Sequence, residues 1–162
     1  MKQRFYIDTS VFGGLFDPEF ERESVLLFDM VKNDQVVCLY SDVVERELMG
    51  APVKVQSFFE SLSDGHKEKI ATTPEIRILA EAYINENVVG KTSIDDCFHI
   101  AAATFHKADM LVSWNFKHIV NVYRMRGYNS VNLKFGYPVL SIYSPKEIVY
   151  YGVSDNTGFS CG

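Results

Sequence analysis

Lysine and arginine are in the minority in this chain: 16 against 21 aspartate and glutamate in 162 residues, for a formal net charge of −5. A protein that coats DNA through its phosphates carries excess positive charge, so that class is disfavoured. An enzyme acting on nucleic acid stays open. A carboxylate cluster that holds a cation is itself a source of negative charge, and net charge says nothing of local patches. No apolar run approaches the ~20 residues that span a bilayer. The opening Met1-Lys2-Gln3-Arg4 leads straight into a short strand-like run, without the apolar core or small-residue cleavage site of a signal peptide. Cysteine is scarce, at Cys38, Cys97 and Cys161. An odd number at wide spacing reads as free thiols in a reducing cytoplasm, and none pairs with a histidine at zinc-site spacing. Repeats and low-complexity tracts are absent. With 47% hydrophobic and 23% charged residues, disorder of the whole chain has no support. The expected organisation is one domain over 1–151 with a loose tail over 152–162.

What the chain does have is an alternation of short apolar runs with longer helical patterns. Phe5-Tyr6-Ile7-Asp8 reads as a strand, and Gln35 to Tyr40 as a second. Met110-Leu111-Val112-Ser113 and Val139 to Tyr143 read as a third and fourth. Between them, Asp17-Pro18 opens a helix to about Asn33, and Ser41 caps one to Met49 that Gly50-Ala51-Pro52 ends. Further helices are expected over 53–62, 73–87, 92–107 and 116–133, with a short last one from Ser144-Pro145. Ser93 and Asp96 are spaced like a capping box. Strands alternating with helices imply an α/β fold: a mostly parallel sheet flanked by helices on both faces. Such sheets place functional sites beyond the carboxyl ends of their strands.

Two of the strands end in polar residues, Asp8-Thr9-Ser10 and Ser113-Trp114-Asn115. Each could be a turn or cap, or could face a shared crevice. The helices say more. On a wheel of ~100° per residue, Val43, Val44 and Leu48 form the apolar face of the helix after Ser41, and Glu47 falls between Val43 and Val44. A half-buried ionised carboxylate is costly unless paired, protonated or bound to metal. In the helix from Ile94, Asp95, His99 and His106 share one polar stripe, whereas Asp96 stacks with Ile100 and Ala103 on the apolar side. Asp96 therefore reads as a carboxylate in a pocket wall, Asp95 as a surface residue, and His99 as a partly exposed structural histidine away from the pocket. Asp8, Glu47, Asp96 and Asn115 form the candidate site. Oxygen donors with few histidines suit Mg²⁺ or Mn²⁺, and a carboxylate-held cation is a standard device for hydrolysing phosphodiesters.

These segments resemble a PIN domain, and among PIN domains the VapC-type toxins and their relatives. The resemblance is carried by Tyr6-Ile7-Asp8-Thr9-Ser10-Val11, by Ser41-Asp42-Val43-Val44-Glu45-Arg46-Glu47-Leu48, by Asp96-Cys97-Phe98-His99-Ile100-Ala101-Ala102-Ala103 and by Leu111-Val112-Ser113-Trp114-Asn115-Phe116. It covers roughly 5–116, with the rest to about Tyr150 compatible. It implies a parallel sheet flanked by helices, a Mg²⁺ or Mn²⁺ site, ribonuclease activity, a homodimer and, for a toxin, a small antitoxin that covers the active site. By position, Asp8, Glu47 and Asp96 match the family's acidic residues and metal ligands. Asn115 stands where many members have a fourth acid, which leaves one or two metals open. Glu45 is the alternative to Glu47, and Asp95 to Asp96; the helix faces favour Glu47 and Asp96.

Around this set, Thr9, Ser10 and Ser113 can donate to carboxylates or to phosphate. Trp114 can stack on a base or pack in the core. Lys117, Arg124 and Arg126 form a modest basic group on the helix expected after Asn115, either contacting phosphate or solvated. Phe58, Phe59, Tyr123, Tyr128, Phe135 and Tyr137 can belong to a core or to an interface. Two other readings compete. A haloacid dehalogenase-type phosphatase would place an Asp where Ser10 stands. A degenerate PIN domain would bind RNA or a partner without cutting.

Overall fold

A computed structural model describes residues 2–152. Its frame is a sheet of five parallel strands in the order β3-β2-β1-β4-β5, where β1 is Gln3–Ile7, β2 Val36–Tyr40, β3 Lys67–Lys69, β4 Met110–Val112 and β5 Ile142–Tyr143. Phe5, Tyr6 and Ile7 are all buried. Strands covered on both faces read as continuous apolar runs rather than alternating ones, and that is why β1 was visible in the sequence. Helices flank the sheet: α1 (Thr9–Gly14), α2 (Glu21–Lys32), α3 (Asp42–Met49), α4 (Val53–Ser61), α5 (Pro74–Asn85), α6 (Ile94–Phe105), α7 (Val122–Lys134) and α8 (Pro145–Glu147). The fold is the α/β arrangement expected. None of its helices is long and apolar enough to cross a membrane among the described residues.

The strand order fixes where a site can form. From β1 the chain builds outward through β2 to β3, then returns to the other side of β1 for β4 and β5. The reversal lies between β1 and β4, and crevices at such points, beyond the strands' carboxyl ends, are the usual binding places of parallel sheets. Asp8 and Ser113 are the residues that follow these two strands, and the Asp8 N–H closes the gap by donating to the Val112 carbonyl at 3.1 Å.

Several elements differ from expectation. Strand β3 was not foreseen: Lys67-Glu68-Lys69 has no apolar residue, as suits an exposed edge strand whose charges discourage further pairing. Helix α1 was missed as well, being six residues long with two glycines. Helix α2 starts at Glu21 because Asp17 instead caps a turn, accepting from the Glu19 N–H at 2.9 Å. Helix α7 starts at Val122, not near Phe116, because Asn121 caps it by accepting from the N–H groups of Tyr123 and Arg124. Ser93 makes no cap bond with its side chain, so the capping-box reading fails. Of the tail expected over 152–162, Gly152 ends the last helical turn and the rest, with Cys161, lies outside the described residues, while Cys38 and Cys97 are buried free thiols.

The aromatic residues divide. Phe12, Phe28 and Phe58 interlock with centroids 4.8 and 5.0 Å apart, joining α1, α2 and α4, and Phe59 packs edge-on to Tyr40. Tyr128 is fully buried against Tyr83, whereas Tyr123 is 84% exposed. Gly14 ends α1 under the indole of Trp114: a Cβ there would lie 2.6 Å from Ser24 Oγ and 2.8 Å from Trp114 Nε1. Gly14→Ala is therefore expected to force the Trp114–Ser24 contact apart and to destabilise the fold by about 1–3 kcal/mol. Urea unfolding measures this; a variant as stable as the parent would show the contact to be slack.

Candidate active site

Asp8 follows β1 and is buried, with both carboxylate oxygens engaged. Ser10 donates to Oδ1 through its N–H at 3.1 Å and its hydroxyl at 2.5 Å, and the Ser113 hydroxyl donates to Oδ2 at 2.7 Å. The two serines accept in turn from the backbone N–H groups of Trp114 and Asn115, both at 2.9 Å. The start of α1 and the loop after β4 are thus tied to one carboxylate. Thr9, the first residue of α1, donates its hydroxyl to Glu47 Oε1 at 3.1 Å. Thr9, Ser10 and Ser113 accordingly brace the acids, one of the two roles open to them in the sequence.

The helices bring the other acids in. Glu47 sits half-buried on α3 with His99 Nε2 2.5 Å from its Oε1. His99 Nδ1 lies 2.7 Å from the buried Tyr6 hydroxyl. Here the sequence reading needs correction. His99 is 2% exposed and lies at the centre of the acids rather than away from the pocket. The wheel identified the polar stripe of α6 correctly but not what covers it. Asp95 pairs with Arg46 at 2.6 Å, His99 with Glu47, and His106 Nε2 lies 2.7 Å from the Ala71 carbonyl. The stripe runs from Asp95 and Arg46 at the surface to His99 buried against α3, with His106 meeting the segment after β3.

Asp96 lies at the start of α6, with Oδ2 3.2 Å from His118 Nδ1 and Oδ1 3.4 Å from the Asn115 amide nitrogen. His118 was not singled out in the sequence, and no spacing rule would have found it: the fold of the loop after β4 brings it back. That loop also turns Asn115. Its amide oxygen accepts from the His118 N–H at 2.9 Å, so its N–H groups face the carboxylate. The alternative acids point outward: Glu45 pairs with Lys69 at 2.5 Å and Asp95 with Arg46, both at the surface.

Trp114 is not positioned to stack on a base. Its indole is 8% exposed, stacked on Phe20 at 4.4 Å and donating to Ser24 Oγ at 2.9 Å. The exposed ring next to the site is Phe116, beside exposed Lys117. The basic group on α7 dissolves: Lys117 precedes the helix, and Arg124 is spent on the Val88 carbonyl.

The protonation balance is uneven. Burial pushes Asp8 above the ordinary carboxylate range, against the pull of His99, Ser10 and Ser113, and Glu47 adds to the rise. Burial likewise raises Asp96, against His99 and His118. Burial also acts to raise Glu47, but the hydrogen bond and charge of His99, with Thr9 and Arg46, outweigh it and leave Glu47 below its usual value. Burial acts to lower His99, and Glu47, Asp8 and Asp96 together overcome it and raise it. His99 is the histidine common to all three acids and His118 adds to it at Asp96, yet neither offsets the burial of the two aspartates, which remain short of compensating charge.

That shortage and the all-oxygen donors of the acids suit a hard divalent cation. Among the described residues no three His, Cys, Asp or Glu side chains converge closely enough to enclose a metal. A closed cage is not what Mg²⁺ requires, since it keeps several waters and takes one or two carboxylates. The residues present fit such a hydrated ion, with Asp8, Glu47 and Asp96 as its available ligands.

No protein-family profile matches the chain, and no curated protein matches it in sequence. Among solved structures it is similar to a chain of the crystal structure of VapBC2 from Rickettsia felis bound to a DNA fragment from their promoter. The TM-score is 0.55 and the identity 17%, with 88% of this chain and 98% of that chain covered. At that identity the likeness speaks for the PIN-like fold and not for an activity.

The raised aspartates carry a test. A carboxyl whose folded value lies above its unfolded one binds its proton more tightly when folded, so stability falls as pH rises through that interval. Asp96→Asn is expected to raise the melting temperature of the metal-free protein at neutral pH by about 2–4 °C, the change that ~1 kcal/mol makes at this chain length. The gain should vanish below pH ~4, where an unfolded Asp is itself protonated. A variant less stable than the parent at neutral pH would show that Asp96 is already neutralised.

Proposed function

We propose that this protein is a metal-dependent endoribonuclease of the PIN type that hydrolyses RNA phosphodiester bonds with Mg²⁺ or Mn²⁺. The supporting observation is the placement of three buried or part-buried acids, Asp8, Glu47 and Asp96, beside the reversal point of a parallel sheet, with Glu47 hydrogen-bonded to the buried His99 and the charges of Asp8 and Asp96 felt there. A bound cation would supply a water of lowered pKa and would offset charge on the leaving oxygen. The chain's own residues do the rest. Ser10 and Ser113 aim the Asp8 carboxylate, and Thr9 and His99 aim that of Glu47. Asn115, with its oxygen committed to the His118 N–H, offers N–H groups: it orients Asp96 or a phosphate oxygen by donation rather than acting as a fourth ligand. Lys117 stands exposed on the same loop to meet substrate phosphate, with Phe116 as the adjacent exposed ring.

The structurally similar protein is a VapBC2 complex. From that likeness together with the resemblance of the sequence to VapC-type toxins, we further propose for this chain the role of a cytoplasmic toxin that works as a homodimer and is held by a small antitoxin protein. The specific observation favouring the second reading, a degenerate PIN domain that binds without cutting, is the amide at Asn115 where an acid would stand.

Labelled single-stranded RNA incubated with the pure protein in EDTA, Mg²⁺ or Mn²⁺ separates the two. Cleavage is expected only with metal, and Asp96→Asn should reduce it by more than the ~10–100-fold that losing an outer partner of a metal ligand costs. The parent should also melt at a higher temperature with Mn²⁺, because a ligand that binds only the folded state stabilises it. No cleavage by folded, inhibitor-free parent with any metal would sink the nuclease and leave the binding module.

A further inference from the structure

Tyr6 lies in the central strand with no exposure at all, and its hydroxyl is 2.7 Å from both His99 Nδ1 and Ser41 Oγ. A phenylalanine would fill the same space without burying a polar atom, and a buried hydroxyl is costly unless bonded. The second partner is as telling. Ser41 is the N-cap residue of α3, where a serine side chain ordinarily caps the helix for ~1 kcal/mol, yet this one makes no cap bond and meets Tyr6 instead. A continuous line results, from Ser41 through Tyr6 and His99 to Glu47. It leaves α3 at residue 41, crosses β1 and α6, and returns to α3 at residue 47. With both ring nitrogens engaged, the His99 imidazole cannot flip without losing two bonds.

We infer that Tyr6 is a positioning residue, which fixes the His99 ring and through it the orientation of the Glu47 carboxylate. The inference rests on the placement of Glu47 in the ribonuclease site, and it adds that the site's geometry is set from inside the sheet. Tyr6 touches neither substrate nor metal. It acts by leaving His99 one ring orientation, and His99 with Thr9 then leaves Glu47 Oε1 one place, with Oε2 the oxygen not spent on these bonds.

Tyr6→Phe in the full chain tests this, with Ser41→Ala as a milder variant that keeps the ring hydroxyl. The first readout is the ¹⁵N resonances of the His99 ring without metal or RNA; both variants should move the Nδ1 signal. The second is the Mn²⁺ concentration giving half-maximal thermal stabilisation, which should rise about 10–100-fold in Tyr6→Phe. The third is cleavage, where kcat should fall at saturating RNA while KM for RNA holds. A lower melting temperature with ring resonances and Mn²⁺ midpoint at parent values would overturn the inference and leave Tyr6 as packing. A parent that neither binds Mn²⁺ nor cuts RNA would sink the ribonuclease reading, while the ring resonances would still decide the positioning claim.

Discussion

An ionised carboxylate that is 4% exposed at the end of the central strand costs free energy unless donors and cations reach it, and Asp8 is in that position. Two serine hydroxyls more than a hundred residues apart in sequence reach it, one from the first turn of α1 and one from the loop after β4, and each accepts a backbone N–H in return. The start of α1 and the loop after β4 are therefore shaped by what holds Asp8. Glu47 and Asp96 follow from the same constraint at one remove. Each is held part-buried on a helix, and each meets a histidine there. Uncompensated burial of one acid next to two more would favour unfolding or protonation; the hydroxyls, the amide of Asn115 and the two imidazoles limit that cost without abolishing it.

The acids were legible in the sequence because a carboxylate on an apolar helix face conflicts with the local pattern, and such conflicts collect at sites of function. Glu47 between Val43 and Val44, and Asp96 in line with Ile100 and Ala103, are conflicts of this kind. His99 was not legible for the complementary reason. It lies where a polar residue belongs on the wheel, and the wheel records only direction, not whether water or another helix lies that way. Helix α6 is buried on nearly every side, so its polar stripe packs against α3, and Arg46 and Glu47 on α3 supply the partners.

The same distinction governs the frame. Strands β1 and β2 announced themselves because burial on both faces writes an apolar run into the sequence. Strand β3 is an edge, held to β2 by backbone pairing and to α4 by Lys67, whose ammonium lies over the Phe59 ring at 4.3 Å and donates to the Phe59 carbonyl at 2.8 Å. Nothing in Lys67-Glu68-Lys69 encodes a strand, because its sequence answers to solvent and to one aromatic neighbour. His118 is hidden for another reason again: a loop's path is decided by what it must bond, here the Asn115 oxygen and Asp96, and no periodicity describes it.

The division of protons has a consequence for how stability and activity are related. Glu47 is held below its ordinary value because the His99 charge is committed to it, whereas Asp8 and Asp96 stay above theirs. By linkage, Glu47 and His99 stabilise the fold between the acid range, where Glu47 takes its proton, and the higher pH at which His99 gives its proton up; the aspartates work against the fold through the whole neutral range. A cation bound beside the two aspartates would relieve both, and its binding free energy would then include that relief.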